Sequence, residues 1–277
     1  MHRHPTNIVS LSDIPAEAQA EIQRRLAEIE TEHQCQILLA IESGSRAWGF
    51  PSPDSDYDVR FIYSHRPEWY LSIDERKDVI EMPIELPYDI NGWDLKKALH
   101  LLRSANPVLL EWLQSPIHYR WSADFANDLL ALSRQSRFAN SCLHHYFHLA
   151  ASQYRRYIEG RPEVPLKKYF YVMRPALALL WVRTRPSQLP PMTIQSLMQE
   201  LHLPDRVREF LLTLIERKRA THELGSTAPI PEIDEFIRKE LEHASAGAGE
   251  TGSPGIDIDE ANVLFRKWIG DFGRQAR

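Results

Sequence analysis

The chain has 277 residues, 43% of them hydrophobic and 26% charged, with a formal net charge of −5. That is enough chain for one large domain or two modest ones, and the composition excludes disordered, collagen-like and coiled-coil classes. The longest uncharged apolar run, 175–182 (PALALLWV), falls far short of a membrane span, and residues 1–11 lack the apolar core of a signal peptide. Two cysteines, Cys35 and Cys142, exclude a disulfide framework or a four-cysteine zinc site and read as buried small hydrophobes. A cytoplasmic protein without a membrane partner is expected.

The charge is unevenly distributed. Residues 42–94 hold 12 acids and 5 bases, whereas residues 134–185 hold 10 bases against only Glu159 and Glu163. Separated blocks of opposite sign suggest a cation-binding region in one part of the chain and an anion-binding region in another.

In chain order, residues 14–33 carry helical spacing at Ile14, Ala18, Ile22, Leu26 and Ile29, with Asp13 as N-cap and Pro15 in the first turn. Residues 35–42 (CQILLAIE) form a short apolar run that predicts a buried strand. Residues 56–63 (DYDVRFIY) alternate, with Asp56, Asp58, Arg60 and Ile62 on one face and Tyr57, Val59, Phe61 and Tyr63 on the other, as a strand of period 2 requires. Residues 78–84 and 85–90 read as two more short strands, broken by Pro83 and Pro87. Helices are predicted over 94–103 and 107–114, and only helices from residue 122 onward: 122–135, 137–158, 167–184, 193–201, 205–222, 231–244 and 258–270, with a flexible loop over 245–256. The expected architecture is therefore α+β, a short mixed sheet with helices over residues 1–120 followed by an all-helical domain over 121–277.

The informative stretch is 41–61 (IESGSRAWGFPSPDSDYDVRF). One strand ends in Gly44-Ser45, a turn-rich loop follows, and the next strand opens with Asp56 and Asp58, two carboxylates on one face about 7 Å apart by strand rise. Such a pair can bridge hard divalent cations and leave room for phosphate oxygens. The Gly44-Ser45 turn offers main-chain N–H groups and a hydroxyl to a phosphate. Asp54, Asp56 and Asp58 share the spacing of a calcium loop, but Val59 stands where that loop needs Gly and His65 where it needs Glu, so Asp54 reads as a turn residue. Trp48 reads as core packing. Arg60 shares the face of the carboxylates and can neutralise them.

The pattern of Gly44-Ser45 followed by Asp56-Tyr57-Asp58-Val59 resembles the nucleotidyltransferase superfamily that includes DNA polymerase beta. The longer string GSRAWGF…SDYDVRFIY, with DINGWDLKKAL at 89–99 and NPVLLEWLQSP at 106–116, is similar to the predicted nucleotidyltransferases of the YcgL/RlaP type over roughly residues 35–120, with weaker similarity at 167–181. The resemblance implies a polymerase beta-like fold and two-metal nucleotidyl transfer from an NTP, with ATP the first choice. Two Mg2+ ions would be held by Asp56, Asp58 and a third carboxylate. Asp89, in Tyr88-Asp89-Ile90, fits the third place, with Glu85 as runner-up. Gly44, Ser45 and Arg46 would hold the phosphates. A helical region in this superfamily supplies Lys and Tyr to triphosphate and base, which points to Lys167, Lys168 and Tyr169. Lys167 and Lys168 leave a helix on different faces, so a solvated amphipathic surface is an equal reading for them.

Three weaker constellations complete the survey. His144 and His148 have i, i+4 spacing for a metal, without an HExxH pattern. Gly247-x-Gly249-x-x-Gly252 follows a helix and precedes Pro254, so it is not a dinucleotide fingerprint. Arg217 and His222 have the spacing of the catalytic pair of HEPN-type ribonucleases, amid charges that suit a solvated helix face. The expected activity is Mg2+-dependent transfer of a nucleoside monophosphate to an acceptor hydroxyl: an RNA or tRNA end, a protein or a small molecule. The rival classes are a catalytically silent nucleotide sensor or antitoxin-like partner on the same fold, and an RNA-cutting enzyme.

Overall fold

A computed structural model describes residues 7–135, 138–221, 223–247 and 255–272. The first helix, α1 (Ala16–His33), starts after Pro15 rather than at Asp13, and Gln34 ends it in the left-handed region at φ 51°. Asp13 instead closes a short 3-10 turn, its Oδ2 accepting the Ser10 N–H at 2.8 Å. The predicted face is the one buried: Ile14, Ala18, Ile22, Leu26 and Ile29 all lie in the core. Then come β1 (Gln36–Glu42), the single turn α2 (Gly44–Ala47), β2 (Tyr57–Ser64) and the single turn α3 (Pro67–Tyr70).

The next two strands differ from the expectation. β3 is only Val79–Glu81, and β4 runs over Tyr88–Asp94, so Glu85 makes only an isolated bridge to Tyr88 and Asp94 ends a strand. Two features favour the longer β4. Gly92 passes under the Phe61 ring, where a Cβ would stand 2.1 Å from Cε2, so only glycine lets these strands lie side by side. Asp94 then caps α4 (Leu95–Arg103), its Oδ1 accepting the Lys96 N–H at 2.7 Å. Asn106 caps α5 (Pro107–Trp112), and β5 (His118–Trp121) and α6 (Ala123–Ser133) follow. β5 was not anticipated, because four residues are too few to show a period.

The remaining elements are α7 (Phe138–Tyr157), β6 (Val164–Pro165), α8 (Leu166–Thr184), α9 (Ile194–Glu200), α10 (Asp205–Ala220), β7 (Ser226–Thr227), α11 (Pro231–Gly247) and α12 (Ile258–Gly270). The pairing of β6 with β7 departs from a purely helical second half. The predicted loop over 245–256 falls largely outside the described residues.

Contacts divide the described chain into two compact units, neither continuous in sequence. The α/β unit holds residues 9–47, 56–135 and 255–272, and the helical unit holds 7–8, 48–55, 138–221 and 223–247. The chain thus passes between units more often than one boundary near residue 120 implies: α6 and α12 cluster with the sheet, and the short segment Trp48–Ser55 clusters with the helices.

In the α/β unit the sheet order is β3-β4-β2-β1-β5. β1 pairs antiparallel with β2 and β5, β2 pairs parallel with β4, and β3 pairs antiparallel with β4. β1 and β2 are therefore inner strands, and β1 is buried at every residue after Gln36, which explains its unbroken apolar run. Ile22, Leu26 and Ile29 of α1 share a core with Val59, Phe61, Ile90 and Tyr119 from the sheet. Each such side chain contributes about 1.5–3 kcal/mol by burial. In the helical unit, α8 is buried at every position from Val172 to Val182, as suits a helix apolar nearly all round.

Candidate active site

The site is built where β1 ends and β2 begins. After Glu42 the chain leaves the sheet, and Gly44 takes φ +58°. A Cβ there would stand 1.8 Å from Asp58 Oδ2 and 2.6 Å from its Cγ. Only glycine satisfies both the backbone angle and the close approach, so the Gly44 main chain lies directly against the Asp58 carboxylate. Ser45 and Arg46 continue α2. The Arg46 guanidinium lies over the Tyr57 ring at 4.2 Å, and its Nε donates to the Asp56 main-chain oxygen at 3.1 Å. Only 9% exposed, Arg46 ties the Gly44 turn to the start of β2, an arrangement unlike a side chain reaching for phosphate.

Asp58 is the second residue of β2, and the parallel register sets Asp89 of β4 directly beside it. Their carboxylates share one cation. Arg60 Nη2 donates to Asp89 Oδ2 at 2.7 Å and stands 3.7 Å from Asp58 Oδ1. Arg60 Nη1 donates to the Asp89 main-chain oxygen at 2.9 Å, and Asn91 Nδ2 donates to Asp89 Oδ1 at 2.6 Å. Burial pushes the Asp58 carboxyl up; Arg60 pulls it back, and Asp89 and Asp56 push it further. Asp56 is exposed, just before the strand. Glu85, the alternative third carboxylate, is 65% exposed and pairs with Arg25 of α1 at 2.9 Å. The register therefore brings Asp89, and not Glu85, beside Asp58.

Behind Asp58 stands a carboxyl that sequence reasoning passed over. Glu42 is fully buried. Its Oε1 accepts the Asp58 N–H at 2.9 Å, and its Oε2 accepts the Tyr119 hydroxyl at 2.5 Å. Burial drives it to about 8 against the pull of those two bonds. The available signal was an acid ending an otherwise apolar inner strand.

The family described as "RlaP: RNA repair pathway DNA polymerase beta family" matches residues 18–267. The chain belongs to this family. It is also 44% identical over 241 residues, 87% of this chain and 92% of the relative, to YcgL of Bacillus subtilis (strain 168), a protein described as uncharacterized. A crystal structure of a nucleotidyltransferase-like protein from Exiguobacterium sibiricum 255-15 is 14% identical, with a TM-score of 0.29, over 91% of this chain and 81% of that one. That overlap is too loose to bear on the fold, and the polymerase beta-like assignment rests on the family match.

In this RlaP-family chain the remaining predicted residues belong to the helical unit. Lys167 is exposed at the start of α8. Lys168 Nζ lies 4.0 Å from the Tyr157 ring and 5.2 Å from the Tyr171 ring. Tyr169 is fully buried, edge-on to Phe210, and its hydroxyl accepts the Ile230 N–H at 3.2 Å. Its ring is committed to the helical core and leaves no face for a base. Trp48 packs against Phe50 and under Arg174, as core residues do. The cation that the sequence concealed is Lys218 of α10, 4% exposed, its Nζ 4.8 Å from the Phe50 ring and 5.3 Å from Phe170. Burial and the neighbouring Lys167 lower it to about 8.

The other constellations are quickly placed. The His144 and His148 rings lie parallel at 6.3 Å. Arg217 Nη2 donates to the Leu224 main-chain oxygen at 3.1 Å, whereas His222, Arg137, Gly249 and Gly252 lie outside the described residues. Both cysteines are buried and outside any disulfide, and burial pushes the Cys35 thiol up to about 12. No helix among the described residues is long and apolar enough to cross a membrane.

Among the described residues no three His, Cys, Asp or Glu side chains already converge as a metal site. The donor chemistry of Asp56, Asp58 and Asp89 nevertheless fits a hard divalent cation: oxygen ligands only, two of them abreast and already sharing a positive charge. A metal there would take over the neutralising place that Arg60 holds.

Proposed function

We propose that this RlaP-family protein is a nucleotidyltransferase that moves a nucleoside monophosphate from an NTP, ATP in the first instance, to an acceptor hydroxyl with release of pyrophosphate. The observation that carries this reading is the in-register pair Asp58 and Asp89 with the Gly44 main chain against Asp58. In the proposal, Asp56 and Asp58 hold the cation that screens the triphosphate, and Asp89 shares a second with them and faces the acceptor. Bound Mg2+ ions would supply charge neutralisation and a lowered hydroxyl pKa. The Gly44–Ser45 turn offers a main-chain N–H and a hydroxyl to phosphate oxygens. Arg46 holds the turn that presents them. Arg60, set between the two adjacent carboxylates, keeps them aligned for the positioning that phosphoryl-type transfer depends on. Lys167 and Lys168 are the helical unit's candidates for a nucleotide contact.

The family's description as an RNA repair pathway family favours an RNA end, tRNA included, as acceptor, ahead of a protein hydroxyl. Arg60 bridging the two carboxylates favours a second reading, a catalytically silent nucleotide-binding sensor or antitoxin-like partner whose acids need no metal. Incubation with α-labelled NTPs, Mg2+ and separated RNA and protein fractions distinguishes them. Label in RNA that disappears with Asp58→Asn supports the proposal, label in protein moves the acceptor, and nucleotide binding without any transfer supports the sensor.

A further inference from the structure

We infer that Glu42 is a positioning residue for Asp58, an inference that rests on reading Asp58 as a cation ligand. The backbone ladder between β1 and β2 ends at the pair Glu42 and Val59. One residue further out, the Ser43 N–H still donates to the Asp58 oxygen at 2.8 Å and the Asp58 N–H turns toward β1, while the Tyr57 N–H beyond it turns to β4, donating to the Pro87 oxygen at 2.7 Å. Beyond Glu42 the chain turns at Gly44, and the Asp58 N–H takes a side-chain acceptor in place of a main-chain one. The Glu42 side chain supplies it, Oε1 at 2.9 Å. Its other oxygen is anchored by the Tyr119 hydroxyl of β5 at 2.5 Å. Its main chain is clamped too, the oxygen accepting the Ser115 hydroxyl at 2.6 Å and the N–H donating to the Ile117 oxygen at 3.0 Å.

Glu42 thus links β1, β2 and β5 behind the carboxylate face. A hydrophobic residue would fill the same buried place at lower desolvation cost, but it would leave the Asp58 N–H unpaired. That N–H sits on the residue whose carboxylate meets Gly44 on one side and Asp89 on the other. Fixing it lets the turn leave the sheet while Asp58 keeps its aim. Partners that orient a ligand from behind in this way change metal affinity about 10- to 100-fold when removed.

The test is calorimetric titration of Mn2+ into the full chain, with thermal unfolding of each variant alongside. Asp58→Asn is expected to abolish Mn2+ binding; equal behaviour of that variant and the wild type, including no binding by either, refutes the reading of Asp58 itself. Given that loss, Glu42→Leu should weaken Mn2+ by about 10- to 100-fold. Glu42→Gln keeps both contacts, its carbonyl accepting the Asp58 N–H and its amide donating to the Tyr119 oxygen, and should restore affinity to within about threefold. Ser115→Ala loosens the Glu42 main chain and the Ile117 turn but leaves both Glu42 side-chain contacts, and should lower Tm while leaving Mn2+ affinity within about threefold. Wild-type affinity in Glu42→Leu, a Gln variant as weak as Leu, or an equal loss in Ser115→Ala overturns the inference. Should Glu42→Leu not fold, Tyr119→Phe takes its place: it frees Oε2 and should weaken Mn2+ severalfold, and unchanged affinity there contradicts the role.

Discussion

The paired acids of the α/β unit and two lysines of the helical unit are held by different means. Asp58 and Asp89 are aligned by backbone register, with hydrogen bonds from Arg60, Asn91 and Glu42's partner N–H fixing their surroundings. Lys168 and Lys218 of the helical unit rest on aromatic rings, with Asp54 the favourable charge acting on Lys218. A group held by register has one geometry, whereas a cation on a ring face is held by a broad, weakly directional attraction. Substitutions among the acids should therefore act as switches, and substitutions among the lysines as graded adjustments.

The largest effect is expected from Asp56→Asn and Asp58→Asn, each losing transfer by about two to four orders of magnitude with the fold intact. Stability should move the other way for Asp58. Its folded carboxyl lies above the ordinary 3.8, so its contribution is most favourable below that value and is lost as pH rises through the folded value. Asp58→Asn should unfold at a higher temperature than wild type at pH 7 and at the same temperature near pH 3, a sign that thermal unfolding at the two pH values reads directly.

Gly44→Ala comes next, since it places a methyl against Asp58 Oδ2 in a left-handed backbone. A cost of about 1–3 kcal/mol in urea unfolding is expected, together with loss of Mn2+ binding. A well-folded alanine variant with full Mn2+ affinity would remove the turn from the site.

Lys218 sharpens the contrast. Lowering an amine from 10.5 to about 8 corresponds to about 3 kcal/mol of destabilisation while it is charged. Below pH 8 both folded and unfolded states carry the proton, and between 8 and 10.5 only the unfolded state does, so stability rises with pH across that window. Lys218→Met should be more stable than wild type by about 3 kcal/mol at pH 7, with the advantage fading as pH approaches 10.5. The smallest effects belong to Lys167→Ala and Lys168→Ala, each weakening NTP binding severalfold and less so at high salt. Unchanged NTP affinity with reduced RNA affinity would reassign these lysines to the acceptor.

Much of this was legible locally. The Ile22-Leu26-Ile29 stripe, the alternation after Asp56 and the Gly44-Ser45 turn each announce themselves within a few residues. Asp89 stood out by its strand context but shared the third place with Glu85, because which residue lies beside Asp58 is a matter of register between β2 and β4, strands that are not consecutive along the chain. The same non-locality hid β5, Glu42 and Lys218, whose roles depend on what packs against them rather than on their neighbours in sequence. Arg46 and Tyr169 have the residue types of nucleotide contacts, yet the fold engages one in holding the turn and the other in the helical core.

The most direct test of the central claim, that register makes Asp58 and Asp89 the working pair, is to compare Asp89→Asn with Glu85→Gln in one assay of label transfer from α-labelled NTP alongside NTP binding. The account predicts that Asp89→Asn binds NTP and transfers nothing, while Glu85→Gln, having lost only an exposed pair with Arg25, transfers as wild type does. Transfer by Asp89→Asn with loss in Glu85→Gln would contradict it.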